Sequence, residues 1–484
     1  MYDVVVVGGG PAGVVAALRA RELGANVALV DKDRLGGTCT NDGCVPTRVL
    51  AKAARLMRDS QQFSMYGLQI DAAPRVDFAA VMQRTQDVVD EVHTKKQLQE
   101  HLEEIGVSTF TDAGQTAFLD EHTLTTETSG QVQGERFILC VGGSPRQLPF
   151  PGGEYAFTSA TVWNLRETPS SVAIIGAGAT GCQLASVFED FGVEVTLLDI
   201  ATRILPTEDE GVSREIATQF RQRGINLLTG IGGVQGITQR DGHYQLDYTD
   251  ADQQPQRLPV DAVIASIGWP GNVVQMALDK AGIETTRSYV LVNDYLQTSK
   301  PHIFAAGDIT GRSMLVQSAG YQGRIAAENA LLSYNQAAEE RLIPHGGFTD
   351  PEYGGVGLTE EQARQHYDVV TATVPYADLD RAVIDNRKVG FCKLVVDRRS
   401  SVILGAHVVG EQAVEIVSTV SAGMAGGLRV QQLADLELAY PTFVAIIGLA
   451  ARQIAREVGA VQVTPEWREL TELRVAEWER TRTE

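Results

Sequence analysis

Tyr2-Asp3-Val4-Val5-Val6-Val7-Gly8-Gly9-Gly10-Pro11-Ala12-Gly13 decides how the chain is read. The valine run predicts a central parallel strand, apolar on both faces. Val14 to Leu23 predicts a helix, and Val27 to Val30 a second strand that ends in Asp31. Glycines in this frame permit a tight turn and let a pyrophosphate approach a helix N-terminus. An acid about 20 residues on can bond a ribose hydroxyl. A lone G-x-G-x-x-G is weak; strand, helix, strand and terminal acid in order are a strong signal. A glycine turn made only for packing is the minor alternative.

The pattern returns. Val172 to Ile175 precedes Gly176-Ala177-Gly178-Ala179-Thr180-Gly181, and Val195 to Leu198 leads to Asp199. In both copies the acid lies 23 positions after the first glycine of the motif. Two such units are much harder to obtain by chance than one. They predict an α/β chain with two Rossmann-like dinucleotide-binding domains.

A different chemistry sits between them, in Gly36-Gly37-Thr38-Cys39-Thr40-Asn41-Asp42-Gly43-Cys44-Val45-Pro46-Thr47-Arg48. The two cysteines, five positions apart, open a predicted helix. Exposed N–H groups and the positive helix end should lower a thiol pKa there and favour thiol–disulfide exchange. Two inert buried cysteines, or half of a metal site, are the alternatives. No second Cys/His pair lies nearby to complete a tetrahedral zinc site, so no metal site is assigned.

This stretch resembles the redox-active segment of the FAD-dependent pyridine nucleotide–disulfide oxidoreductases, the family of dihydrolipoamide dehydrogenase, glutathione reductase and mercuric reductase. Their motif reads G-G-T-C, a variable segment, then G-C-x-P-[ST]-K, and only Arg48, in place of Lys, departs from it. Phe137-Ile138-Leu139-Cys140-Val141-Gly142-Gly143-Ser144-Pro145 resembles the strand and turn where the family's chain leaves the FAD domain; Cys140 reads as a buried small hydrophobe. Phe304-Ala305-Ala306-Gly307-Asp308 resembles its second FAD motif. Gly346 to Gly357, Leu404 to Gly410 and Glu415 to Val417 resemble its dimerisation module.

The resemblance implies a layout and a set of sites. Residues 1–149 and 275–343 would form an FAD-binding domain, 150–274 an NAD(P)-binding domain and 344–460 an α+β dimerisation domain, with 461–484 a C-terminal tail. FAD would lie on Gly8, Gly10, Pro11, Ala12, Gly13, Asp31 and Lys32, on Gly37, Thr38 and Gly142, and on Gly307, Asp308 and Gln317. The nicotinamide dinucleotide would lie on Gly176, Gly178, Gly181, Gln183, Asp199 and Gly268. Asp199 accepts from a free 2′-hydroxyl and repels a 2′-phosphate, which favours NAD(H) over NADP(H), with Arg203 nearby tempering the preference. Cys44 would be the thiol next to the flavin and Cys39 the one that exchanges with substrate. Two chains would pair, each completing the other's site.

Four departures bear on the chemistry. The family's H-P-T-x-x-E reads Tyr440-Pro441-Thr442-Phe443-Val444-Ala445, so the proton-accepting His and its orienting Glu are both replaced. No histidine follows His407. A tyrosine is a poor base at neutral pH but can donate a hydrogen bond or bind a soft metal ion, as in the mercuric reductases. Those enzymes also use a C-terminal cysteine pair, and here no cysteine follows Cys392. Next, the family's Lys–Glu pair beside the flavin becomes Arg48 and Gln183, which predicts a raised flavin potential. Ala179 then stands where the family often carries a large shielding side chain, leaving the flavin open to quinones or oxygen. Finally, Trp269 replaces a dinucleotide-binding Arg.

The totals fit this reading. The 484 residues suggest about three domains. A net charge of −20 argues against nucleic acid or an anionic membrane as partner. Five cysteines in so long a chain are no secreted disulfide scaffold. The early buried strand argues against a targeting peptide, and Leu438 to Ala451 is too short to span a bilayer. A cytoplasmic homodimer without a membrane span is expected. It would pass electrons from NAD(P)H to a small-molecule or protein disulfide, with metal-ion or quinone reduction as the alternative. A rival of another class is a slow redox-sensing flavoprotein. In the tail, Trp467, Leu470, Leu473, Val475 and Trp478 are expected to form a helix packed on the body.

Overall fold

The computed structural model describes residues 1–72, 74–340, 342–461, 464 and 477–478. It is mixed α/β. The chain divides into two compact units. One comprises the described residues of Met1–Pro169, Gly236–Tyr244 and Ala262–Glu340; the other comprises Ser170–Gln235, Gln245–Asp261 and the described residues from 342 onward.

In the first unit, strand β1 (Tyr2–Val7) is followed by helix α1 (Pro11–Glu22) and strand β2 (Val27–Val30). Val4 to Val7 are at most 1% exposed, as a strand covered on both faces requires. Val4 to Val7 of β1 pair in parallel with Val27 to Val30 of β2 and with Arg136 to Leu139 of the Gly130–Leu139 strand. The sheet runs Ser108–Phe110, β2, β1, Gly130–Leu139, Thr123–Thr126, Thr116–Asp120, and Ile303–Ala305 joins Gly130–Leu139. One apolar cluster joins Val4 and Val6 to alanines of α1 and of the Val316–Leu331 helix; a second gathers Phe118, Phe137 and Ile309 around Val5 and Val7. Burying each such side chain is worth about 1.5–3 kcal/mol. Pro11 starts α1 because its fixed φ suits the first helical position and its missing N–H would find no partner there.

The cysteine stretch forms two helices, α2 (Gly37–Asn41) and α3 (Cys44–Ser60), broken at Asp42 and Gly43. The stretch 78–104 likewise forms two helices, α4 (Phe78–Lys96) and Leu98–Glu104. Gln97 takes the left-handed conformation, φ 43°, and the turn re-aims Leu98 and Leu102 into the core.

In the second unit, Ser171–Ile175, Glu194–Asp199 and Asn226–Thr229 pair in parallel, and Ala179–Asp190 is the helix after the second glycine turn. Farther along, an antiparallel sheet runs His345–Gly347, Tyr353–Gly357, Ile403–Val409, Phe391–Asp397, Val369–Pro375. Helices Ala413–Ala425 and Ile446–Glu457 bury Val417, Val420, Ile446 and Ala450 against it. Trp467, Leu470, Leu473 and Val475 lie outside the described residues. Trp478 is 83% exposed, and its neighbour Glu477 forms ion pairs with Arg452 and Arg456 at 2.9 and 2.6 Å. Among the described residues, no helix is long and apolar enough to cross a membrane.

Candidate functional site

The first glycine turn is built for close approach. Gly8 has φ 103°, and a Cβ there would lie 2.3 Å from the Cys140 carbonyl oxygen. A Cβ on Gly13 would lie 1.7 Å from the Gly8 carbonyl oxygen, so only glycine lets α1 sit this close to β1. At Gly10 the space is open: the nearest heavy atom to an added Cβ is the Gly37 Cα, at 3.8 Å. No side chain caps the N-terminus of α1 and its first turn carries no acid. Its N–H groups and helix dipole therefore face an open cradle suited to a diphosphate. Asp31 accepts from the Gly9 N–H and, at 2.9 Å, from the Asp33 N–H. Burial raises its pKa above the ordinary aspartate value despite these bonds. Lys32 is exposed beside Asp33.

The redox candidates lie in this same unit. Cys39 and Cys44 are free thiols joined by a hydrogen bond. That bond from Cys39 lowers the Cys44 thiol to about 7, against the opposing effects of burial and of Asp308. Cys39 is raised in turn, by the same bond and by burial. One sulfur thus holds the charge and the other the proton. The helix expectation holds for Cys44, the first residue of α3, whereas Cys39 is inside α2. Gly37 and Thr38 open α2. Arg48 is exposed, one turn beyond Cys44 on α3.

The second motif meets the first. Ala12 and Gly307 come close: a Cβ on Gly307 would lie 3.2 Å from the Ala12 Cβ. Burial raises the Asp308 pKa, and the adjacent Trp269 side chain partly offsets this. The Trp269 Nε1, the one donor of the indole, is buried and meets Asp308 without a well-formed hydrogen bond. Gly142 and Gly268 are at neighbouring loops, their carbonyls accepting from Asn272 and Arg146 at 3.0 Å each. Gln317 is exposed in the first turn of Val316–Leu331. Together, these features fit a flavin dinucleotide.

The second unit repeats the cradle. A Cβ on Gly181 would lie 1.9 Å from the Gly176 carbonyl oxygen, and one on Gly178 would meet nothing within 4 Å. Asp199 accepts from Ala177 and Ala201 N–H groups at 2.6 and 2.7 Å. Gln183 donates to the Ala179 carbonyl at 3.1 Å and accepts from the Phe348 N–H at 3.2 Å. Tyr440 is 57% exposed, and its hydroxyl donates to Asp380 Oδ2 at 2.6 Å.

Three participants escaped the sequence reading. Gln322 is fully buried and accepts from the Gly307 N–H at 2.7 Å. Its amide donates to Ser318 at 3.2 Å and to Glu340 at 2.5 Å, which fixes which end faces Gly307. Lys96 donates to the Thr40 hydroxyl at 3.0 Å. No local pattern marks any of them, because each contact joins distant parts of the chain or depends on helix rotation.

Known proteins place this geometry. The pyridine nucleotide-disulphide oxidoreductase family matches residues 2–323, and its dimerisation domain matches 343–451. A mercuric reductase of Staphylococcus aureus is 32% identical over 94% of this chain and 83% of its own. A dihydrolipoyl dehydrogenase of Mycobacterium leprae is 34% identical over 91% of this chain and 95% of its own. The HOCl-induced flavoprotein disulfide reductase RclA of Escherichia coli, also solved as a Cu(II) complex, superposes with TM-score 0.82 at 27% identity, covering 93% of this chain and 99% of that one. The two matches fall on the glycine turns, the cysteine pair and the antiparallel sheet, and the chain is an oxidoreductase belonging to the pyridine nucleotide-disulphide oxidoreductase family.

Proposed function

We propose that this chain is an FAD-dependent NAD(P)H oxidoreductase whose Cys39–Cys44 pair passes electrons to a disulfide. The observation that carries this reading is the hydrogen-bonded thiol pair with Cys44 lowered to about 7 in the unit that holds Asp308 and the first glycine cradle. We assign FAD to Gly8, Gly10 to Gly13, Asp31, Lys32, Gly37, Thr38, Gly142, Gly307, Asp308 and Gln317. The nicotinamide dinucleotide goes to Gly176, Gly178, Gly181, Gln183, Asp199 and Gly268, with NAD(H) preferred. FAD, when bound, supplies acceptance of hydride from the nicotinamide and return of the electron pair to the cysteines.

The rest is the work of the chain's own residues. Cys39 passes its proton to Cys44 and, as the thiolate, bonds to one sulfur of the substrate, whose S–S bond breaks. Cys44 then attacks Cys39 and releases the second sulfur. Two thiols become one disulfide, and one substrate disulfide becomes two thiols. The proton shared by Cys39 and Cys44 goes to one leaving sulfur; water protonates the other. This suits a site with Tyr440 where the family keeps a histidine base.

Purified holoenzyme, mixed anaerobically with NADH or NADPH and a disulfide such as DTNB, tests the reading. NADH should be the better donor, and Cys44→Ser should cut disulfide-dependent NADH consumption about a hundredfold or more. Retained consumption in Cys44→Ser would overturn it. A second reading, reduction of Cu(II) or Hg(II), draws on the exposed Tyr440–Asp380 oxygens and on the mercuric reductase and copper-bound RclA likenesses. Faster NADH turnover with those ions than with any disulfide, and its loss in Tyr440→Phe, would favour it.

A further inference from the structure

We propose that Lys96, in the last turn of α4, is a positioning residue that holds the negative charge on the Cys39–Cys44 pair. The inference rests on the reading of that pair as the redox centre. Its own basis is geometric. The Lys96 Nζ donates to the Thr40 hydroxyl at 3.0 Å, and Thr40, adjacent to Cys39 on α2, is 1% exposed. One turn earlier, His93 Nε2 bonds Asn41 Oδ1 at 2.7 Å. The end of α4 therefore grips two successive residues of α2, a helix only five residues long. The ammonium group is pinned against the residue next to Cys39, although most of the lysine is exposed.

The charges around the pair make this grip matter. The charge of Asp308 disfavours the Cys44 thiolate. Asp42 ends α2, and its own pKa is raised by burial. Arg34 is paired with Asp90 at 3.1 Å, and the His93 pKa is lowered by burial and by Arg34. Arg48 follows one turn into α3. The charge of Lys96 favours the charged form of both cysteines. In a chain of net charge −20 with Tyr440 where the family has a histidine, a fixed cation here favours the thiolate form of the pair.

The test is thiolate titration of the reduced holoenzyme. Iodoacetamide alkylation is followed from about pH 5 to about pH 10, with mass spectrometry assigning each cysteine. Lys96→Gln should move the lowest thiolate midpoint up by about half to one pH unit, and Lys96→Arg should restore it. Thr40→Val, which keeps the charge but frees it, should give a smaller upward shift. Molar salt should shrink the difference between wild type and Lys96→Gln. An unchanged midpoint in Lys96→Gln, or the same upward shift in Lys96→Arg, would overturn the proposal. Full activity in Cys44→Ser would instead sink the redox reading, so the two failures are distinguishable.

Discussion

Arg48 and Gln183 show how far one exchange of charge reaches. The family's Lys–Glu pair keeps local neutrality beside the flavin; here the cation stays and its carboxylate partner becomes an amide. Gln183 has found other partners, the Ala179 carbonyl and the Phe348 N–H, so its amide is tied into its own unit. Our proposal is that Arg48, with an amide at position 183 in place of the family's carboxylate, stabilises the anionic reduced cofactor. The flavin potential should therefore be higher than in the Arg48→Lys, Gln183→Glu double variant. Equilibrium titration with reference dyes measures it, and a wild-type potential equal to or below the variant's would defeat the idea. These positions were legible because the motif fixes their register. Lys96, Gln322 and Glu340 were not. Nothing in Val76 to Ile105 says that one lysine turns towards Thr40, since that follows from how α4 lies on α2.

Strands and helices divide along the same line. Both glycine turns and their flanking strands could be read locally, because burial on two faces forces continuous apolar runs and the close approach at Gly13 and Gly181 forces glycine. The break at Gln97 could not, because a polar residue between two helical runs adopts a positive φ only when the core rewards it. The contact of His345 with Glu208 joins the edge strand His345–Gly347 to the loop before Glu210–Gln222, 137 positions away. It has a pH signature. Burial opposes the His345 charge, but the 3.0 Å bond and the charge of Glu208 outweigh it, and the pKa is raised. Its stabilisation is complete below the ordinary histidine value, about 6.5, and fades as pH rises through the raised folded value. His407 has the opposite sign. Buried, with Nε2 bonded to the Leu358 carbonyl, it is depressed, so its contribution is present above about 6.5 and fades as pH falls. Asp209, lowered by Lys393 against burial, fades only in stronger acid. Around the ordinary histidine value the two histidines therefore oppose each other. In His345→Gln the thermal midpoint should rise with pH more steeply than in wild type; equal slopes would refute the assignment.

A single chain leaves the acceptor side of the proposed chemistry open. Tyr440 is 57% exposed, and Val383 and Ile384, near its partner Asp380, are 51% and 54% exposed. Apolar side chains clustered around a polar pair are what an interface between copies uses. With the dimerisation domain matched over 343–451, we propose a two-fold dimer in which Tyr440 of one chain serves the cysteines of the other. Sedimentation should give twice the 52.2 kDa chain mass. The sharper test is complementation. Cys44→Ser and Tyr440→Ala chains should each be impaired alone. Co-expressed in equal amounts, half the dimers are hybrids, and each hybrid holds one site with an intact cysteine pair and an intact Tyr440. About a quarter of wild-type activity should then return. If each site were built within one chain, every site would carry one lesion and no activity would return, which would remove the partner from the mechanism while leaving the cysteine chemistry standing.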